Sequence, residues 1–136
     1  MMNAARDSAG EPVPAASPVI LVVEDDVLVR SVAAAYLRDC SFDVVEANGA
    51  DEAIRALQAG IKVDVVFSDI QMPGSMDGLG LARWVRRERP ELKIILTSGA
   101  AHTAREAADL LERSPFLTKP YDHAELERHI RALLAR

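Results

Sequence analysis

The sequence predicts an α/β domain: a doubly wound, five-stranded parallel sheet with five helices. Three observations lead there. Short runs rich in Val, Ile, Leu and Phe recur at 18–23, 42–46, 63–68, 92–97 and 115–118. Segments of helical period occupy 26–39, 49–59, 78–89, 103–113 and 122–135. The two kinds alternate strictly, which calls for parallel strands covered on both faces, and right-handed crossovers then leave few topologies.

Residues 1–17, with Pro12 and Pro14 and no periodicity, read as a mobile tail ahead of a domain over 18–136. In the first helix Asp26 is the expected N-cap, and Leu28, Val32, Ala35 and Tyr36 share the expected core face. The second places Ala50, Ala53, Ile54 and Leu57 at i, i+3, i+4 and i+7. The third follows the Asp77-Gly78 turn and is closed by Pro90. Thr103 with Glu106 gives the fourth a capping box, and Asp122 with Glu125 repeats the device before a stripe of Leu126, Ile130 and Leu133.

A length of 136 residues sets the scale at one domain, and 49% hydrophobic residues suit a chain that builds its own core. A net charge of -5 argues against a nucleic-acid surface. Cys40 is the only cysteine, so an internal disulfide is excluded, in keeping with a cytoplasmic setting. The apolar runs are strand-sized, no secretory h-region follows the start, and no membrane association is expected.

Chemistry gathers at the strand ends. The first strand runs into Glu24-Asp25-Asp26, the third ends on Asp69, and the fifth runs into Lys119-Pro120. The carboxyl ends of strands in open α/β sheets are where ligands bind. If the first and third strands are neighbours, Glu24, Asp25 and Asp69 crowd together and raise one another's pKa unless a cation intervenes. Hard oxygen donors favour Mg²⁺. A plainer reading makes the first three acids a helix N-terminus, which accounts for Asp26 but not for Asp69. Lys119 can reach a carboxylate or a phosphoryl oxygen as a point charge. Thr97 and Ser98 end the fourth strand, where a hydroxyl can bond a phosphoryl oxygen or simply serve the turn before Gly99.

Five motifs together resemble the receiver domain of two-component response regulators. They are Val22-Val23-Glu24-Asp25-Asp26, Ser68-Asp69-Ile70-Gln71-Met72-Pro73, Met76-Asp77-Gly78, Leu96-Thr97-Ser98-Gly99 and Phe116-Leu117-Thr118-Lys119-Pro120-Tyr121. The resemblance implies the flavodoxin-like sheet order 2-1-3-4-5. It implies Asp69 as phosphoacceptor, and Mg²⁺ held by Asp25, Asp69, the Gln71 backbone carbonyl and Glu24, directly or through water. It further implies Thr97 on one phosphoryl oxygen, Lys119 on another, and Thr97 with Phe116 as the switch pair. Phe116 reads equally well as core packing. The implied partners are a sensor histidine kinase or histidine phosphotransferase and a downstream protein target, with homodimer formation left open.

Two departures from the family pattern stand out. The loop Pro73-Gly74-Ser75-Met76-Asp77-Gly78 carries one extra residue, and Gly99, two after Thr97, offers no side chain to screen an acyl phosphate from water. His102, His123 and His129 are expected to be exposed helix residues, and Arg83, Arg86, Arg87 and Arg89 a solvated face. The chain is expected to be a stand-alone receiver, or one cut from a longer regulator or hybrid kinase, and no enzyme beyond its own phosphorylation and hydrolysis. A phosphate sink or a phosphorylation-independent adaptor is the main alternative. A small Mg²⁺-dependent phosphohydrolase is disfavoured because Gln71 stands where its second acid would be. A nucleotide binder is disfavoured because acids replace a phosphate loop after the first strand.

Overall fold

A computed structural model describes residues 16–100, 107 and 115–136. Its strands are β1 (Val19–Val23), β2 (Asp43–Ala47), β3 (Val65–Asp69), β4 (Lys93–Ser98) and β5 (Phe116–Thr118). They form one parallel sheet in the order β2-β1-β3-β4-β5, as expected. The described helices are α1 (Val27–Asp39), α2 (Ala50–Gln58), α3 (Gly78–Glu88) and α4 (His123–Leu134). The helix expected over 103–113, with its Thr103 and Glu106 cap, lies outside the described residues except for the buried Ala107. The tail expected over 1–17 lies outside them up to residue 15.

Strand side chains alternate between faces, so the sheet carries two apolar layers. Leu21, Val23, Val66, Ile94 and Leu96 meet Ala53 and Leu57 of α2 and Leu81, Ala82 and Val85 of α3. Ile20, Val22, Val65, Phe67, Ile95 and Leu117 meet Ala33 and Leu37 of α1 and Leu126, Ile130 and Leu133 of α4. β3 is buried at every position, as befits the middle strand. Because all five strands are parallel, Val23, Ala47, Asp69, Ser98 and Thr118 end on one edge.

One expected core face is corrected. Of its four residues only Tyr36 packs inward, partly buried; Leu28 is 76% and Val32 56% exposed, Ala35 is also exposed, and the buried residues of α1 are Ala33, Ala34 and Leu37. α1 is apolar most of the way round, so periodicity alone allows either face. Small alanines let its backbone come close to the sheet, and Leu37 fills the layer between α1 and α4. No helix among the described residues is long and apolar enough to cross a membrane.

Candidate functional site: an acidic cluster at the carboxyl edge

Backbone bonds place the first acids. The Glu24 N–H donates to the Ala47 carbonyl at 3.1 Å, continuing the β1–β2 ladder one residue past the strand. Asp26 turns its carboxylate back to cap α1, accepting from the N–H groups of Leu28 at 2.9 Å and Val29 at 3.1 Å. The Asp26 N–H in turn donates to Glu24 Oε2 at 3.0 Å. Asp26 is therefore occupied as the cap, while Glu24 and Asp25 remain at the edge.

β3 brings Asp69 to them. Among the described residues, Glu24, Asp25 and Asp69 each offer a carboxylate oxygen within 4.8 Å of the others. Asp69 is buried, with Oδ2 accepting from Lys119 Nζ at 3.0 Å. Its Oδ1 is buried without a hydrogen-bond partner among the described residues. A buried carboxylate oxygen left unpaired is costly, so its environment calls for a further positive group. Burial, followed by the charge of Asp69 and the Asp25 side chain, raises the Glu24 carboxyl to about 7 against the bond from Asp26. Burial with the charges of Glu24 and Asp69 likewise pushes Tyr121 up to about 12. A set of hard oxygens, crowded, partly unpaired and matched by one lysine, fits a divalent cation such as Mg²⁺.

The supporting loops are tightly built. The Gly78 N–H donates to the Ile70 carbonyl at 2.9 Å, and a Cβ there would overlap the Asp69 carbonyl oxygen and lie 2.7 Å from Ile70 Cα. Only glycine lets α3 start that close behind Asp69. The Ser75 hydroxyl, in the lengthened loop, donates to Asp51 of α2 at 3.4 Å. The peptide bond between Lys119 and Pro120 is cis.

The two hydroxyls on β4 diverge. Thr97 pairs with Asp69 in register, yet its hydroxyl donates to the Leu117 carbonyl of β5 at 2.8 Å. Ser98 is fully buried, and its hydroxyl donates to Gln71 Oε1 at 2.5 Å while accepting from the Ala100 N–H at 3.0 Å. Thr97, expected on a phosphoryl oxygen, thus has its hydroxyl bonded to the backbone of β5, while its neighbour Ser98 faces the loop after Asp69. Adjacent strand residues point to opposite faces, so a Thr-Ser pair does not tell a reader of the sequence which one faces the site.

Phe116 is partly buried and packs against the layer of α2 and α3. His123 is not a freely exposed residue: its ring lies 5.2 Å from Tyr36 and 5.9 Å from Tyr121, centroid to centroid. Arg83, Arg86 and Arg87 are exposed, whereas Arg89 lies 5.7 Å from the Trp84 ring. His102 lies outside the described residues.

A family model described as the response regulator receiver domain matches residues 20–131. The sensor kinase CckA of Brucella abortus is 34% identical over 124 residues, which span 88% of this chain and 13% of that protein. The transcriptional regulatory protein ResD of Bacillus subtilis is 30% identical over 118 residues, 86% of this chain and 48% of its own length. The chain thus spans half or less of these relatives. A response regulator receiver protein from Sinorhizobium medicae superposes with a TM-score of 0.80 at 30% identity, covering 88% of this chain and 95% of that one. TrrA of Thermotoga maritima, solved in complex with Mg²⁺-BeF, gives a TM-score of 0.77 at 26% identity over 85% of this chain and 98% of its own.

Proposed function

Because the chain belongs to the response regulator receiver family, we propose that it takes a phosphoryl group onto Asp69 and signals by protein contact. The donor is a phosphohistidine on a sensor histidine kinase or histidine phosphotransferase. The observation that carries this reading is the asymmetry of the Asp69 carboxylate. Lys119 holds Oδ2, and the buried, unpartnered Oδ1 is left as nucleophile.

Oδ1 attacks phosphorus, the P–N bond to the donor breaks, and its electron pair returns to the imidazole. The product is an acyl phosphate. Attack by water on phosphorus then releases inorganic phosphate and restores the carboxylate. Phosphoryl transfer asks the protein for alignment and charge neutralisation rather than covalent help. Mg²⁺, which Glu24, Asp25, Asp69 and the Gln71 backbone carbonyl would hold, supplies neutralisation between an anionic nucleophile and an anionic donor. Lys119 supplies it on the other side and orients Asp69 beforehand.

We assign the hydroxyl that bonds the phosphoryl group to Ser98 rather than Thr97. The Thr97 proton already serves Leu117, whereas Ser98 lies against the loop that follows Asp69. Drawing Ser98 inward breaks its bond to Gln71, and the partly buried Phe116 beside β4 is the side chain placed to respond. Gly99 and Ala100 are too small to screen the anhydride, which supports a short-lived signal.

The donor protein needs a landing face beside the acids. α1 offers Val27, Leu28, Val29 and Val32, at 61%, 76%, 43% and 56% exposure, directly after Glu24-Asp25-Asp26. Apolar side chains left in water at the mouth of a reactive site support an interface there. The reading places the protein in the cytoplasm with its kinase. It carries no catalytic turnover beyond its own phosphorylation and dephosphorylation.

Intact mass after incubation with phosphoramidate and Mg²⁺ tests the reading. The wild type gains one phosphoryl group and Asp69→Ala gains none. Ser98→Ala, and not Thr97→Val, alters the lifetime of the product. A folded, Mg²⁺-binding wild type that gains nothing from any donor favours the adaptor alternative.

A further inference from the structure

The acid cluster hangs from a short loop, and one side chain of α1 reaches back to hold it. Arg30 Nη1 donates to the Glu24 backbone carbonyl at 2.8 Å. Its Nε donates to Glu46 Oε1 on β2 at 3.3 Å. The Arg30 side chain is 16% and that of Glu46 30% exposed, so this pair sits largely out of solvent. Glu46 Oε2 also accepts from Arg38 Nη2 at 3.2 Å, but Arg38 is half exposed, and its other bond goes to the Val44 carbonyl.

We propose that Arg30, braced by Glu46, is the positioning residue that sets the Glu24-Asp25 peptide for metal binding. This rests on the reading above that the acids take Mg²⁺. Three bonds to the sheet, the loop and α1 hold Glu24 among the described residues. Its N–H goes to Ala47, its carboxylate accepts from the Asp26 N–H, and its carbonyl accepts from Arg30. The first comes from the sheet and the second from the loop itself. Only the third ties the loop to a side chain held from a second strand.

A planar guanidinium can serve the carbonyl and the carboxylate at once from one rigid fork, which an ammonium cannot. The carbonyl it holds belongs to the peptide that leads into Asp25, so turning that peptide turns the Asp25 side chain and the Glu24 carboxylate with it. Arg30 acts through the Glu24 backbone. Groups that orient metal ligands without touching the metal typically change affinity by ~10- to 100-fold when removed.

Calorimetric titration with Mg²⁺ alone, beside thermal denaturation in EDTA, tests this on the full chain. Arg30→Met is expected to weaken Mg²⁺ binding about tenfold. Arg38→Met removes a bond to the same Glu46 without touching Glu24, and should change Mg²⁺ affinity by less than about twofold. In Glu46→Leu, binding weakens too, and adding that change to Arg30→Met has no further effect if Glu46 works through Arg30. Should Arg30→Met not fold, Arg30→Lys carries the same comparison, with a loss of a few-fold. An Arg30 variant that binds like wild type overturns the proposal, as does equal weakening by Arg38→Met, which would mark a general structural effect. A wild type that takes up no Mg²⁺ removes the functional reading itself, and this inference with it.

Discussion

α1 and α4 lie on the same face of the sheet and touch, yet they use their apolar residues differently. α4 points Leu126, Ile130 and Leu133 inward and keeps a polar outer face. α1 buries small residues with Leu37 and leaves two valines and a leucine more than half exposed, with Val29 close behind. Their entrances differ as well. α4 starts from Asp122, whose carboxylate accepts from the Ala124 and Glu125 N–H groups. α1 starts from Asp26, but only after two further acids that gather with Asp69. The contrast teaches that α4 is built for stability and α1 for the edge it faces. Exposed apolar surface and clustered acids set the entrance of α1 apart from that of α4.

The comparison is open to breaking, beginning with the largest expected effect. Leu126→Ala, in the shared layer, should lower stability by about 3 to 4 kcal/mol. Leu28→Ala should change it by less than about 0.5 kcal/mol, since its side chain is already in water. Chemical denaturation of both variants checks this, and equal losses would end the distinction between the helices.

The entrance to α1 should also carry a pH dependence, set by Glu24. Burial, with Asp69 and Asp25, raises Glu24 from 4.5 to about 7 in the folded state. Between those values the unfolded chain has lost the proton and the folded one keeps it, so stability falls as pH rises. The Glu24 contribution is fully present below 4.5 and gone above about 7 in the metal-free protein. Glu24→Gln should flatten that part of the profile measured in EDTA, and Asp122→Asn should leave it in place.

At the smaller end, Asp122→Ala removes a cap and should cost α4 about 1 kcal/mol without altering Mg²⁺ affinity. Smallest in stability is the pair Leu28→Asp with Val32→Asp, expected within about 0.5 kcal/mol of wild type. Its effect is on recognition. Transfer from any histidine kinase that phosphorylates the wild type should fall at least about tenfold, while labelling by phosphoramidate stays unchanged. Loss of both would place the defect in the acid cluster instead of the docking face.

The same contrast shows what the sequence could reveal. The layer around α4 was legible because its apolar residues fall on a single stripe, and the acid cluster because Glu24, Asp25 and Asp69 stand at strand ends, where topology brings them together. The buried face of α1 was not legible, since nearly every face of that helix is apolar and the choice depends on how closely its alanines approach the sheet. The roles of Thr97 and Ser98 were hidden for a related reason. Two adjacent hydroxyls differ only in the face they take, and that is set by the pairing of β4 with β5. Arg30 gave no signal either, because a long side chain that reaches back six residues to a carbonyl follows no periodic pattern.

The most direct test of the central claim is to locate the phosphoryl group. Labelling wild type with phosphoramidate and Mg²⁺, then reducing with borohydride, converts an aspartyl phosphate into a homoserine side chain, which peptide mass spectrometry can place. Homoserine at position 69 alone is the predicted result. Homoserine at Asp25 or another aspartate, the five-carbon 2-amino-5-hydroxypentanoate at Glu24, or a labelled protein whose Asp69 is untouched, would contradict it.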